Sequence, residues 1–285
     1  MIRFLLTLAL LWPFAANAAA PTVSNTGQCT SALGVSTLAC AVTTTGTNKI
    51  VSFTIATQNT SSTARTVSSI TDAGGAGLVP VLAPGAGISA TTVCLGGAIN
   101  PCSLNLEQWW VLAPTALVAE AFTVNLSGSS TVVIGGWRAT ASVFNTAAPY
   151  DTNATLAAKN SGGSASIPTA GNYITSSTDD LLVFDTVVGR NQTGWVPCFL
   201  TYTNWNASFA EISFTSQIEL TEEVQGVTAT QSQSGVPLAT VSSSCPGGTS
   251  TASGDGWLSL ATAMNGNGVA STCSGYKALK GVGCK

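Results

Sequence analysis

The chain has 285 residues, only 7% of them charged, with nine Lys and Arg against twelve Asp and Glu and a formal net charge of −3. An ordinary soluble protein carries about 25% charged residues, so this surface must be polar through Ser, Thr, Asn, Gln and Gly, and without clustered Lys or Arg it offers nucleic acid no footing. There is no histidine, which removes Ser-His-Asp and Cys-His hydrolases, His-ligated zinc and non-haem iron, and the usual neutral-pH proton shuttle.

The first residues read as an export signal. Arg3 is the basic start, Phe4 to Trp12 the apolar run, and Ala16-Asn17-Ala18 or Ala18-Ala19-Ala20 the small-residue cleavage site. The run is shorter than the roughly 20 residues that span a bilayer. Residues 1–20 are therefore expected to be cleaved, leaving a chain that is secreted or held at the cell surface, with no membrane segment. Loss of Arg3 takes the balance to eight basic against twelve acidic residues, a net −4. So weak a charge opposes association little, and self-association or packing with cell-surface or virion components is weighed against a stable secreted monomer.

Strand signals then follow one another. After Leu38 to Thr44 comes KIVSFTIA, Lys49 to Ala56, in which Val51, Phe53 and Ile55 face one way and Ser52 and Thr54 the other, as in a half-buried strand. Thr66 to Thr71 leads into the turn DAGGAG, Asp72 to Gly77. In LNLEQWWVLAP, Leu104 to Pro114, alternation puts Leu104, Leu106, Gln108, Trp110 and Leu112 on a core face, and Asn105, Glu107, Trp109 and Val111 on an outward one. Ala121 to Ser127 and Trp137 to Val143 repeat the pattern. Beyond the SGGSAS turn, Ser161 to Ser166, the run Asp180 to Val188 is apolar on both faces and reads as a central strand. Further strands are expected at Trp195 to Thr203, Ser208 to Phe214, Val227 to Gln231, Leu238 to Ser243 and Gly256 to Thr262. With no amphipathic helix of three turns and no fixed repeat, the pattern predicts one all-β domain, a sandwich or barrel, over residues 21–264. Residues 265–285 carry Lys277, Lys280, Lys285 and two cysteines and are read as a disulfide-clamped tail.

Eight cysteines in an exported chain indicate disulfides. Three close couples suggest Cys29–Cys40, Cys94–Cys102 and Cys273–Cys284, which leaves Cys198–Cys245. Metal ligation competes poorly, since there is no CxxC and no histidine to complete a zinc site.

The succession of Val51 to Ile55, VSSITDAGGAGLVPV (Val67 to Val81), EQWWVLAP, FTVNLSG, WRATASVFNTAAPYD (Trp137 to Asp151) and STDDLLVF (Ser177 to Phe184) resembles jelly-roll-like β-sandwich domains of secreted bacterial and phage-associated surface proteins. The likeness covers roughly Lys49 to Gly189. It rests on an acid-and-tryptophan strand ending at a proline, a strand leading to a Pro-x-Asp turn, and an aspartate pair opening a buried strand. The resemblance implies a jelly-roll-like antiparallel β-sandwich acting as an extracellular structural or adhesive module; the cysteines are additions to the class, and they make the expected sandwich disulfide-stabilised.

Several chemistries remain for the residues themselves. No phosphate loop and no dinucleotide fingerprint is present. A glycosidase needs only two carboxyl groups about 5–9 Å apart, and the mid-chain options are Glu107, Glu120, Asp185, Glu211, Glu219, Glu222 and Glu223. A structural Ca²⁺ needs only oxygens; Asp151 and the Asp179-Asp180 pair sit at loop-to-strand junctions where it could bind, although Thr178 and Asp179 are equally suited to closing a turn. No other cofactor is implied. Glycan binding would use the exposed aromatic faces of Trp109 and Trp205 beside Glu107. Five N-x-S/T sequons, at Asn59, Asn125, Asn153, Asn191 and Asn206, are close to the number chance provides. The leading expectation is a secreted, non-enzymatic structural or adhesive protein of a cell-surface layer, filament or virion-like appendage. The alternative is a carbohydrate-binding module on Glu107, Trp109 and Trp205, with a glycoside hydrolase behind it.

Overall fold

The structure is a computed structural model describing residues 23–26, 29–91, 103–146, 149–151, 158–162, 173–174, 180–189, 200–203, 208–214, 218–226, 232–233, 238–241 and 256–266. Among them there is no α-helix. The strands are β1 (Val23–Thr26), β2 (Thr30–Val42), β3 (Lys49–Asn59), β4 (Val67–Asp72), β5 (Val81–Thr91), β6 (Ser103–Ala113), β7 (Glu120–Gly135), β8 (Trp137–Thr140), β9 (Ala158–Gly162), β10 (Tyr173–Ile174), β11 (Leu181–Gly189), β12 (Leu200–Thr203), β13 (Ser208–Phe214), β14 (Ile218–Gly226), β15 (Ser232–Gln233), β16 (Leu238–Val241) and β17 (Gly256–Met264). A short 3-10 turn, Ala141–Val143, follows β8.

The first eight strands form one antiparallel sheet with nested pairing: β1 with β8, β2 with β7, β3 with β6. Nesting of this kind arises when a long hairpin rolls up, and it gives the jelly-roll-like sandwich. The roll is incomplete, because β4 pairs with β7 and β5 with β6 rather than with each other. The β2–β7 ribbon makes the fold-over. Its register shifts twice between Ala32 and Thr37, where Gly34 adopts a left-handed φ of 65°, opposite the small residues Ser127 to Ser130 of β7. A left-handed φ is open to glycine at no steric cost. Past this bend the arms return over each other, so that Cys29 and Cys40 come within 5.5 Å (Cα to Cα) and form the disulfide.

Two cores result. The first lies inside the folded-over sheet: Cys40 and Val42 of β2, Ile70 of β4 and Phe122 and Val124 of β7 meet Val51, Phe53 and Ile55 of β3 and Val111 of β6. Phe53 and Phe122 touch edge to face, ring centroids 5.0 Å apart. The second lies on the other side of β3 and β6, against an outer five-stranded sheet ordered β13-β14-β11-β17-β9. Here Ile50, Leu104, Leu106, Val133 and Trp137 pack on Leu181, Val183, Val187, Leu220, Leu258 and Leu260. The described residues thus stack in three layers, and the middle layer is buried on both faces.

This layering explains where the sequence pattern misleads. KIVSFTIA is not half-buried: Ser52 and Thr54, the side expected to meet water, are 0% exposed because the outer sheet covers them. Asp180 to Val188 does behave as expected, with β11 at the centre of the outer sheet. β8 stops at Thr140, short of the expected Val143. β5 was not foreseen because Pro84 and Gly85 (φ 70°) break its alternation within a bulge between Leu82 and Gly87. β14 was hidden by its three glutamates, although Ile218, Leu220, Glu222 and Val224 share one buried face. The strand expected at Val227 to Gln231 lies outside the described residues, as do Cys94, Cys102, Cys198, Cys245, Cys273 and Cys284 and residues 267–285 of the tail.

Gly136 joins β7 to β8, and both of those strands pair with the same edge of β3, at Thr54 to Gln58 and at Lys49 to Val51 respectively. At the junction φ is 137° and the glycine lies against the Ser52 carbonyl, where any Cβ would overlap the oxygen. Only glycine lets the chain change partners there.

Candidate functional site

The Glu107–Trp109 pair was expected to face outward, and the structure corrects this. Glu107 is 4% exposed and Asn105 1%, because the folded-over half of the sheet covers that face of β6. Glu107 Oε1 accepts hydrogen bonds from the backbone N–H of Val67 (3.0 Å) and from Asn105 Nδ2 (2.8 Å), and Oε2 accepts one from Trp109 Nε1 (2.8 Å). Asn105 Oδ1 in turn accepts from Ser89 Oγ at 2.6 Å. The carboxyl group therefore ties the start of β4 and the edge strand β5 to β6. Buried polar groups persist when they are matched in this way. What remains open to solvent is part of the Trp109 ring, held in orientation by its own N–H.

Beside that ring runs an apolar edge. Among the described strands β5 pairs only with β6, and it places Leu82 opposite Trp109 and Val81 opposite Trp110. Val79, Val81 and Leu82 are 74%, 43% and 42% exposed. An edge strand that carries exposed apolar side chains is a template for pairing with another chain. The bulge at Pro84 interrupts this edge without covering Val81 or Leu82.

A second polar cluster lies between the middle layer and the outer sheet. Of the carboxylates singled out in the sequence, the fold brings two together: Asp185 of β11 stands directly opposite Glu222 of β14. They are 1% and 0% exposed. Thr54 Oγ1 donates to Glu222 Oε2 at 2.7 Å. Gln108 Nε2 approaches Asp185 Oδ2 at 3.4 Å, and Gln108 Oε1 accepts from Thr262 Oγ1 at 2.7 Å. Loss of water raises the Asp185 carboxyl well above its ordinary range, and the neighbouring Glu222 charge adds to the rise. Burial raises Glu222 as well, opposed by the Thr54 hydroxyl, by a hydrogen bond with Asp185 and by the positive charge of Arg138. Arg138 itself, pointed at the Ser52 carbonyl (2.8 Å) with its guanidinium 5.8 Å from the Phe53 ring centroid, is brought down to about 10 by burial against the pull of Glu222. Tyr150, buried nearby, is raised well above 10 by burial and then by the charges of Asp185 and Glu222. A hydrolytic pair must flank a bond of its substrate; Asp185 and Glu222 are closed in by two sheets.

Two further candidates lie beside the end of β17, where Met264 pairs with Leu181 on one side and with Tyr150 on the other. Asp151 and Asp180 are both buried, at 4% and 0%, and the Asp151 N–H donates to the Ala263 carbonyl at 3.0 Å. Asp179 and Trp205 lie outside the described residues. Among the described residues no three His, Cys, Asp or Glu side chains converge as a metal site. Two sequon asparagines are engaged internally, Asn59 Nδ2 donating to the Thr63 carbonyl and Asn125 Nδ2 to Ser69 Oγ. No helix among the described residues is long and apolar enough to cross a membrane. Sequence reasoning missed the pairing of Asp185 with Glu222 because β14 was not recognised; the signal available was the alternation of Ile218, Leu220 and Val224 around Glu222. No family model matches the chain, and neither a curated protein nor a solved structure resembles it closely enough to count as a relative.

Proposed function

We propose that this chain is a secreted structural or adhesive subunit of a cell-surface layer, filament or virion-like appendage, joined to further copies through the β5 edge. The observation that carries the reading is the exposure of Val81 and Leu82 on the edge strand β5 and of Val79 just before it. The low charge of the chain leaves little repulsion to resist such contacts, and the disulfide suits an oxidising exterior. Light scattering over a concentration series, with electron microscopy of the same samples, tests it. The wild-type chain forms dimers or filaments, and Val81→Lys with Leu82→Lys returns it to monomer without lowering its melting temperature. A compact monomer at high concentration that binds no cells overturns the reading.

The fixed, half-open ring of Trp109 beside Leu82 favours one second reading, a glycan-binding face. In that case Trp109→Ala abolishes retention on a polysaccharide column, and self-association is left unchanged.

A further inference from the structure

We propose that Asp185 and Glu222 bind one proton between them and that this shared proton clasps the outer sheet to the middle layer. The two side chains are direct cross-strand neighbours with almost no exposure. One oxygen of each is already assigned, Glu222 Oε2 to the Thr54 hydroxyl and Asp185 Oδ2 to the Gln108 amide. The oxygens left over, Asp185 Oδ1 and Glu222 Oε1, are buried and receive no hydrogen from any other group. Two ionised carboxylates in that position would face each other with no protein donor between their free oxygens, and burying an unpaired charge is strongly unfavourable. A single proton removes the conflict: Asp185 Oδ1–H donates to Glu222 Oε1, and both orphan atoms are satisfied. Glu222 then carries the one negative charge, held by Thr54 and balanced by Arg138.

The surroundings leave little else to share that role. Among the described residues, Arg138 acts on Glu222 through its charge, and Tyr150 feels the charges of both carboxyl groups. The flanking positions on the same face are apolar, Val183 and Val187 on β11 and Leu220 and Val224 on β14. β17 presents Leu260 and Thr262, β3 presents Thr54, β6 presents Gln108, and the residue of β13 in register with Glu222 is Ala210. Because Thr54 and Gln108 belong to the middle layer, the pair's hydrogen bonds cross the interface between sheets.

The sign follows from linkage. Both carboxyl groups are raised in the folded chain above their ordinary values, so the folded state holds a proton that the unfolded state releases. The stabilisation is fully present below the ordinary carboxylate range and is lost as pH rises through the raised folded value. Urea unfolding of the mature chain between about pH 5 and about pH 9 tests this, with a folding equilibrium constant expected to fall up to about tenfold per pH unit for one proton. Asp185→Asn, whose amide can donate to Glu222 and accept from Gln108, is expected to flatten the profile and keep the acid-side stability at alkaline pH. Infrared spectra of the wild-type chain at neutral pH supply a readout independent of any variant folding: a buried un-ionised carboxyl band is expected. A flat wild-type profile overturns the proposal, as does an unchanged profile in Asp185→Asn. Absence of the carboxyl band, with stabilisation by added Ca²⁺ that a chelator reverses, overturns it in favour of a cation site.

Discussion

Removing the Glu107 carboxylate tests whether that residue is architecture or a ligand contact. In Glu107→Ala three donors lose their acceptor, the Val67 N–H, the Asn105 amide and the Trp109 indole N–H. A hydrogen bond to a charged group contributes about 1.5–3 kcal/mol, and a buried donor left unmatched costs about 1–3 kcal/mol. These terms do not add fully, because the half-open indole can find water, so the expected loss is about 3–5 kcal/mol. Glu107→Gln is the sharper variant. Its single carbonyl oxygen still serves Val67 and Asn105, but its NH₂ is set against the indole N–H, donor against donor, for a loss of about 2–3 kcal/mol. With a urea m-value near 3 kcal/mol/M, that lowers the unfolding midpoint by roughly 0.7–1 M at constant m. Trp109→Phe removes the opposing donor, so the double variant loses less than the sum of the singles, with a coupling of about 1–2 kcal/mol. An unmoved midpoint in Glu107→Gln, or strict additivity with Trp109→Phe, would refute the internal role and return Glu107 to the surface reading.

Three further outcomes are expected. Replacing Cys29 and Cys40 by Ser opens a link between residues 11 apart in sequence and lowers stability by about 3 kcal/mol, read as a drop in melting temperature that reducing agent reproduces in the wild-type chain. Phe53→Ala, at a fully buried position joining the two halves of the folded-over sheet, costs about 3–5 kcal/mol in denaturant unfolding; a cycle with Phe122→Ala returns about 0.5–1.5 kcal/mol for the ring pair. Gly136→Ala forces a Cβ into the Ser52 carbonyl at a positive φ and costs at least about 2 kcal/mol, whereas Gly34→Ala, with open space around it, costs only about 1 kcal/mol. Equal losses at the two glycines would remove the steric account of the β7–β8 junction.

Much of the fold was legible because its signal is local. Period-two alternation located β3, β6, β8, β13 and β17 within a few residues, and an apolar run without alternation identified β11 as central. The close spacing of Cys29 and Cys40 identified their disulfide. The depth of the layers was not local. Alternation separates the two faces of a strand, and it placed Leu104, Leu106, Trp110 and Leu112 correctly with one core and Trp109 and Val111 together on the opposite face. It cannot say that the opposite face is covered too, since that depends on β2, β4 and β7 folding over it. Glu107 was misplaced for that reason.

The same layering gives the unusual composition a physical cause. A strand buried on both faces is usually recognised by apolar residues at every position, yet β3 and β6 place Ser52, Thr54, Gln58, Asn105, Glu107 and Gln108 inside. Buried groups of this kind are tolerated when matched, and here three are matched across layers, Thr54 to Glu222, Gln108 to Thr262 and Glu107 to Val67, whereas the Ser52 hydroxyl and the Gln58 amide are buried without a hydrogen-bond partner. Apolar packing between sheets tolerates sliding by a residue pair, whereas a donor facing one acceptor does not. The polar residues of the middle layer therefore fix the register of the sheets stacked on it. They are also why the sites most suggestive in the sequence became internal, so that the outward contacts of this chain are to be sought on the β5 edge, at Val81 and Leu82 beside the ring of Trp109, and at Val79 just before it.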